Sequence, residues 1–230
     1  MEFKELREKV WLNNMELPKH NLVIYTFGNA SAIDRDKGVI GIKPSGVPYE
    51  ELTPDKIVII DLDNKIVDGS FNPSSDTKTH LKLYKSFPEI GGIVHTHSTF
   101  ATSWAQAQKY IPCFGTTHAD HLPGAIPCTK PLSKKQIRGD YETETATQII
   151  KLFKKISYQK TPMALVANHG PFTWGETVTK AVYHSVVLES LAKLAYFTCQ
   201  LNPKAEVIKR DLVEKHFYRK HGENAYYGQG

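Results

Sequence analysis

Phe3, Leu6 and Val10 recur at helical spacing in a charged stretch, MEFKELREKV, and predict an amphipathic helix at the start of the chain. Short β-like runs follow: LVIYTF at 22–27, GVIGIKP at 38–44, KIVIIDL at 56–62 and KIV at 65–67. Gly, Asn, Asp and Pro separate them, as connections between strands require. DTKTHLKLYKSF at 76–87 predicts a helix capped by Asp76 or a neighbouring serine. GGIVHTH at 91–97 reads as a strand and TFATSWAQAQ at 99–108 as a helix. YETETATQIIKLFKKI at 141–156 is a further helix, with apolar residues at 149, 152, 153 and 156. MALVAN at 163–168 predicts a buried strand, followed by a long helix over about 176–200 and another near 205–220. No repeat, low-complexity tract or linker interrupts the series. Strands placed early and helices around them later predict one α/β domain, a mixed sheet covered by helices on both faces.

Composition narrows the class. Of 230 residues, 40% are hydrophobic and 23% charged, the balance of an ordinary globular protein. No apolar run approaches the roughly 20 residues that span a bilayer. The charged N-terminus lacks the apolar core of a signal peptide, so a cytoplasmic protein without a membrane partner is expected. Cys113, Cys128 and Cys199 are far apart and form no C-x-x-C, which argues against both a disulfide framework and a thiolate metal cage. A net charge of +5 suits an anionic small molecule better than nucleic acid, which would call for clustered basic residues interleaved with aromatics.

The candidate chemistry begins at His95 and His97. Side chains alternate along a strand, so the two imidazoles are expected on one face at the end of an apolar run. A catalytic zinc site takes three nitrogen or oxygen ligands and keeps a position open. An isolated H-x-H is more often a pair of surface imidazoles, and a third ligand is needed from a strand able to lie alongside. His169 ends the only other apolar strand that finishes in histidine, MALVANHG. His20, His80, His184 and His221 sit in polar or helical contexts and read as surface or satisfied core residues. His118 and His121 flank Asp120 in GTTHADHLPG, an irregular segment suited to acid/base groups.

Three further stretches are suited to an anion: FGNAS at 27–31, KPSG at 43–46 and NPSSD at 72–76. Each has small residues whose backbone can approach a ligand, and Lys43 adds positive charge. Ser74 and Ser75 at a helix start offer unpaired N–H groups and the helix dipole. Any one of the three alone would be an ordinary turn or cap. Tyr226 and Tyr227, in a Gly-rich polar tail, are expected to dock on this subunit or a neighbour.

Together LPKHNLV, GNASAID, IKPSGV, FPEIGGIVHTHS, GTTHAD, NHGPFTWG and the terminal AYYGQ resemble, nearly end to end, the class II sugar-phosphate aldolase family that also contains the adducin head domain. The resemblance implies a single three-layer α/β/α domain over 1–230, with a central, mostly antiparallel sheet. It further implies a cyclic homotetramer with active sites between subunits, the tail (about 216–230) contributing to a neighbour's site. Residues matching the family's zinc ligands are His95, His97 and His169, with Asp76 as a fourth ligand in its epimerases and one Zn²⁺ per subunit. Those matching its phosphate contacts are Gly28, Asn29, Ser45, Gly46, Ser74 and Ser75, with Lys43 nearby. The acid/base pair matches Asp120 and Tyr227 on opposite sides of the substrate, Tyr227 reaching the adjacent subunit with His216 in support. Aldolases of the group typically carry Glu where this chain has Asp76, which favours the epimerases. The implied activity is interconversion of L-ribulose 5-phosphate and D-xylulose 5-phosphate by retro-aldol cleavage and re-addition, in arabinose or ascorbate catabolism. The rival readings are a fuculose-phosphate type aldolase and a non-catalytic adducin-like binding module. Intact His95, His97 and His169 speak against the latter.

Overall fold

The computed structural model describes residues 3–221 and 225–227, so that of the tail, 222–224 and 228–230 lie outside the described residues. Helix α1 (Lys4–Lys19) turns Leu6, Val10 and Leu17 inward, the stripe its sequence predicted. The stretch 22–27 is not a strand. Asn21 and Tyr25 take positive φ, 55° and 54°, which breaks any extended run. Ile24, Tyr25 and Phe27 consequently stand exposed on a loop. Pairing begins only at β1 (Asn29–Asp34), followed by β2 (Val39–Ile42), β3 (Val58–Asp61) and β4 (Ile66–Asp68).

Next come α2 (Thr77–Ser86), β5 (Gly92–His95), α3 (Thr99–Gln106), α4 (Thr116–Ala119), α5 (Lys134–Arg138) and α6 (Tyr141–Leu152). The chain continues through β6 (Met163–Leu165), β7 (Pro171–Gly175), α7 (Val178–Leu201) and α8 (Arg210–His221). The seven strands form one sheet in the order β4-β3-β2-β1-β5-β7-β6, every neighbouring pair antiparallel. Strand β7 escapes the sequence pattern because all five of its residues are buried. A fully buried strand shows no alternation to read. Its presence changes the expected neighbourhood: β7, not β6, lies beside β5, and His169 reaches the site from the turn between β6 and β7.

Two faces of the sheet are covered. Helices α1 and α7 pack on Ala30, Ala32, Ile57, Ile59 and Val94, and α2 and α6 pack on Ile40, Ile42, Ile60, Ile93 and Phe172. Ile93 and Val94 facing opposite layers is the two-residue period of a strand with both faces buried. The architecture is a three-layer α/β/α fold. Among the described residues no helix is long and apolar enough to cross a membrane.

Candidate active site

Strand register brings the candidate residues to one end of the sheet. Asn29 pairs with His95 and His95 with Phe172, while Lys43 follows the last residue of β2. On this end opens a cavity of about 360 Å³. Gly28, Asn29, Lys43, Ser45, Gly46, Ser74, Ser75 and Asp76 line it together with His95, His97 and His169.

One ring nitrogen from each of His95, His97 and His169 lies within 4.8 Å of the others. The Nε2 atoms of His95 and His97 are 3.0 Å apart. Imidazole ligands bind a transition metal at about 2.0–2.1 Å, and this spacing suits one shared ion. Two of the three rings are held by a neighbour outside the triad. His95 Nδ1–H donates to Pro171 O at 2.9 Å, which leaves Nε2 as the lone pair, and Phe172 stacks on the ring at 4.2 Å. His169 Nδ1 is 3.4 Å from the Tyr141 hydroxyl. The turn carrying His169 needs Gly170, where a Cβ would sit 2.8 Å from Thr96 O and 3.5 Å from both the His95 and His97 rings. Burial, then the neighbouring His95, pushes His97 below its usual range and His169 down to about 3. Both rings are therefore neutral at pH 7, the form that ligates metal.

Asp76 lines the same cavity but stands outside the mutual cluster of ring nitrogens. It occupies the N-cap position of α2 without using its side chain as a cap. The carboxylate instead accepts from Asn29 Nδ2 at 2.8 Å. Burial pushes Asp76 upward, but the imidazoles of His95, His80 and His169 and the Asn29 hydrogen bond outweigh it and hold the carboxyl below its usual range. Among the described residues Asn29 Oδ1 is buried with no hydrogen-bond partner.

The phosphate-type loops differ from the expected open cradle. Ser45 N–H donates to Asn72 O at 2.9 Å and Ser74 N–H to Lys43 O at 3.1 Å, so the KPSG and NPSSD loops are zipped to each other. Thr77 N–H donates to Ser74 O at 3.1 Å and Asp76 N–H to Ser74 Oγ at 3.3 Å. Much of the helix start is thus already paired within the loops themselves. Gly28 must be glycine: its φ is +79°, and a Cβ would meet Val23 at 2.8 Å and His95 O at 3.0 Å. Lys43 is buried, its Nζ donating to Val47 O at 2.7 Å, and burial lowers its pKa to about 8.

Asp120, His216 and Tyr227 do not line this cavity. They gather on one another. Asp120 accepts from Arg219 Nη2 at 2.8 and 2.9 Å and from His216 Nδ1 at 2.9 Å. Partial burial pushes Asp120 up, but the hydrogen bonds of Arg219 and His216 and the charge of Lys220 prevail and hold it at about 2. Tyr227 N–H donates to Arg219 O at 3.2 Å. Its ring faces Arg219 at 4.9 Å and Lys220 at 4.2 Å. The sequence reading set Asp120 and Tyr227 on opposite sides of a substrate; in the fold they share one patch of one chain, joined through Arg219.

Several residues at the site carry no motif. Asn14 on α1 exchanges hydrogen bonds of 2.8 and 2.9 Å with the Ala30 backbone and so fixes the start of β1. Glu189 on α7 accepts from the N–H groups of Phe100 and Ala101 and holds the helix that follows His97. His80 is fully buried, with Nδ1 2.7 Å from Ser31 Oγ and Nε2 unpartnered among the described residues, and is only half the satisfied residue its helical context suggested.

Residues 8–196 match the sequence profile of the Class II Aldolase and Adducin N-terminal domain. The chain belongs to this family. Within the class II aldolases, the Salmonella paratyphi C (strain RKS4594) protein named L-ribulose-5-phosphate 4-epimerase UlaF is 50% identical over 226 residues, 98% of this chain and 99% of its own. The protein of that name from Salmonella choleraesuis (strain SC-B67) matches equally, at 50% over 226 residues. Among solved structures, an L-fuculose 1-phosphate aldolase superposes with a TM-score of 0.79 at 24% identity, covering 92% of this chain and 94% of that one. At that identity the likeness concerns the fold. Class II aldolases are typically metal-dependent, and the histidine triad could hold the ion.

Proposed function

We propose that this protein is an L-ribulose-5-phosphate 4-epimerase. It interconverts a phosphorylated pentulose and its carbon-four epimer, D-xylulose 5-phosphate, using one Zn²⁺ per subunit held by His95, His97, His169 and Asp76. The observation that carries the reading is that one cavity is lined by the histidine triad and Asp76 together with Lys43 and the serine loops. That arrangement suits a divalent ion at one end of a substrate and a phosphate at the other. Near-full-length identity to proteins named for this activity supports it.

Carbon four of the substrate is not adjacent to the carbonyl, so no enolate stabilises loss of its proton. Breaking the bond between carbons three and four avoids the problem. The electron pair goes to an enediolate, the carbon-four oxygen becomes the carbonyl of glycolaldehyde phosphate, and its proton goes to a base. Rotation of the aldehyde and re-addition on the other face give the epimer. When bound, the ion supplies Lewis acidity for the developing enediolate charge. Asn29 orients the Asp76 carboxylate. Lys43, with Ser45, Gly46, Ser74, Ser75 and the Gly28 turn, grips the phosphate so that the aldehyde turns without escaping. Asp120 and Tyr227 are the pair that takes up and returns the carbon-four hydroxyl proton, with His216 orienting Asp120. Because these three gather away from their own chain's cavity, we assign them to the site of an adjacent subunit in a homotetramer. Incubation with L-ribulose 5-phosphate tests the reaction type: D-xylulose 5-phosphate should accumulate, whereas net release of free glycolaldehyde phosphate would identify an aldolase.

The phosphate assignment has its own test. Lys43→Met should raise KM about ten- to a hundredfold, the effect of losing a charge-assisted contact of roughly 1.5–3 kcal/mol. Only the ammonium form of Lys43 attracts phosphate, so kcat/KM in the parent should fall as pH rises through about 8. This step should vanish in Lys43→Met. The stability effect has the opposite sign. Between about 8 and the ordinary value of 10.5 the unfolded chain holds the extra proton, so the Lys43 contribution makes folding more favourable as pH rises across that window. An unchanged KM in Lys43→Met would move the phosphate elsewhere.

A further inference from the structure

Tyr49 opens a short 3-10 turn (Tyr49–Glu51) just after the Lys43–Val47 loop, with its side chain buried. Its ring packs in the core beside Leu22 and Val47, which would by itself make it ordinary filling. Both of its functional parts, however, point at the phosphate end of the cavity. The hydroxyl donates to Gly28 O at 2.9 Å, with Phe27 O at 3.2 Å. The ring face carries the Lys43 ammonium at 4.8 Å from its centroid. That ammonium is held on its other sides by Val47 O at 2.7 Å, with Thr26 O and Pro44 O each at 3.4 Å.

One side chain therefore touches both loops that grip the anion. Tying down Gly28 O fixes the plane of the Gly28–Asn29 peptide. Asn29 in turn directs Nδ2 to Ser74 Oγ at 3.1 Å and to Asp76 Oδ2 at 2.8 Å. Burial raises the Tyr49 phenol far above its ordinary value, so it remains a donor throughout the working pH range. The electron-rich ring face stabilises a buried cation that lacks a carboxylate partner within salt-bridge distance among the described residues.

We propose that Tyr49 is a positioning residue for the phosphate: its hydroxyl sets the Phe27–Gly28 loop, its ring sets Lys43, and together they fix the gap between the two loops. The inference rests on the phosphate reading above and adds the residue that shapes the subsite. Tyr49→Phe keeps the ring and removes the hydroxyl. It should raise KM for L-ribulose 5-phosphate, and Ki for inorganic phosphate as a competitive inhibitor, about three- to tenfold, the size of one neutral hydrogen bond. The kcat should stay within about twofold, because binding lost equally from ground and transition states leaves kcat alone. Zn²⁺ affinity measured by chelator competition should fall by less than the phosphate Ki rises, since Tyr49 reaches Asp76 only through Asn29. Tyr49→Leu, which also removes the cation's seat, should raise both constants further. An unchanged phosphate Ki in Tyr49→Phe, or an equal loss of kcat and zinc affinity, would overturn the proposal in favour of a plain core role. Lys43→Met, run in parallel, separates the two levels. If it weakens phosphate and Tyr49→Phe does not, only the Tyr49 inference fails. If neither variant weakens phosphate, the subsite itself is wrong.

Discussion

The His97→Asn variant is expected to lose most of its bound divalent metal, and with it about 10³-fold or more in turnover. Lewis-acid stabilisation of developing charge is worth several kcal/mol, and each 1.36 kcal/mol is tenfold in rate. His97 is the informative member of the triad because it is the most exposed of the three. Replacing it removes a ligand without opening the core, so the unfolding midpoint should hardly move from that of the metal-free parent. His95 would be a poorer probe: it is buried, hydrogen-bonded to Pro171 O and stacked on Phe172, and its loss would confound folding with metal binding. Metal per subunit by elemental analysis, with activity before and after chelator and on refilling with Zn²⁺ or Mn²⁺, checks the expectation and identifies the working ion. Full activity in a metal-depleted sample would remove the triad from the mechanism.

The second large effect concerns the patch formed by Asp120, His216 and Tyr227. Asp120→Asn and Tyr227→Phe should each lower kcat by roughly 10²–10⁴, the span of a lost general acid or base, with KM much less affected. Their grouping around Arg219 makes a sharper prediction. If one chain supplies both groups to a neighbour's metal site, mixed tetramers of Asp120→Asn with Tyr227→Phe subunits should remain inactive, since every patch is damaged. Mixed tetramers of His97→Asn with Asp120→Asn should regain activity, because some interfaces join an intact triad to an intact patch. Random assortment around a head-to-tail ring gives about one quarter of such interfaces. Recovery in the first mixture would show that the two groups come from different chains. Silence in the second, in verified mixed tetramers, would return the whole site to one chain.

The chemistry-bearing residues of the cavity were legible in the chain. His95 and His97 announce themselves by ending an apolar run, His169 by ending another, and Lys43, Ser74 and Ser75 by lying in small-residue loops after strands or before a helix. Such features are local, depending on residue type and on spacings of one to a few positions. The neighbourhoods were not legible. Hydrophobic pattern reports that a residue is buried, not what it is buried against, so the five buried residues of β7 went unread and β6 was set beside β5. The run at 22–27 had strand composition, yet positive φ at Asn21 and Tyr25 turned it into an exposed loop. Asp120 meets Arg219 and His216 across 99 and 96 residues, and Tyr49 reaches Gly28 across 21. No local preference encodes such pairings, because they arise when packed elements bring distant side chains within hydrogen-bond range. The sequence by itself determined which side chains could bind a metal and a phosphate. Only the tertiary structure decided that they share one cavity, that Tyr49 spans its two loops, and that Asp120 and Tyr227 stand together outside it.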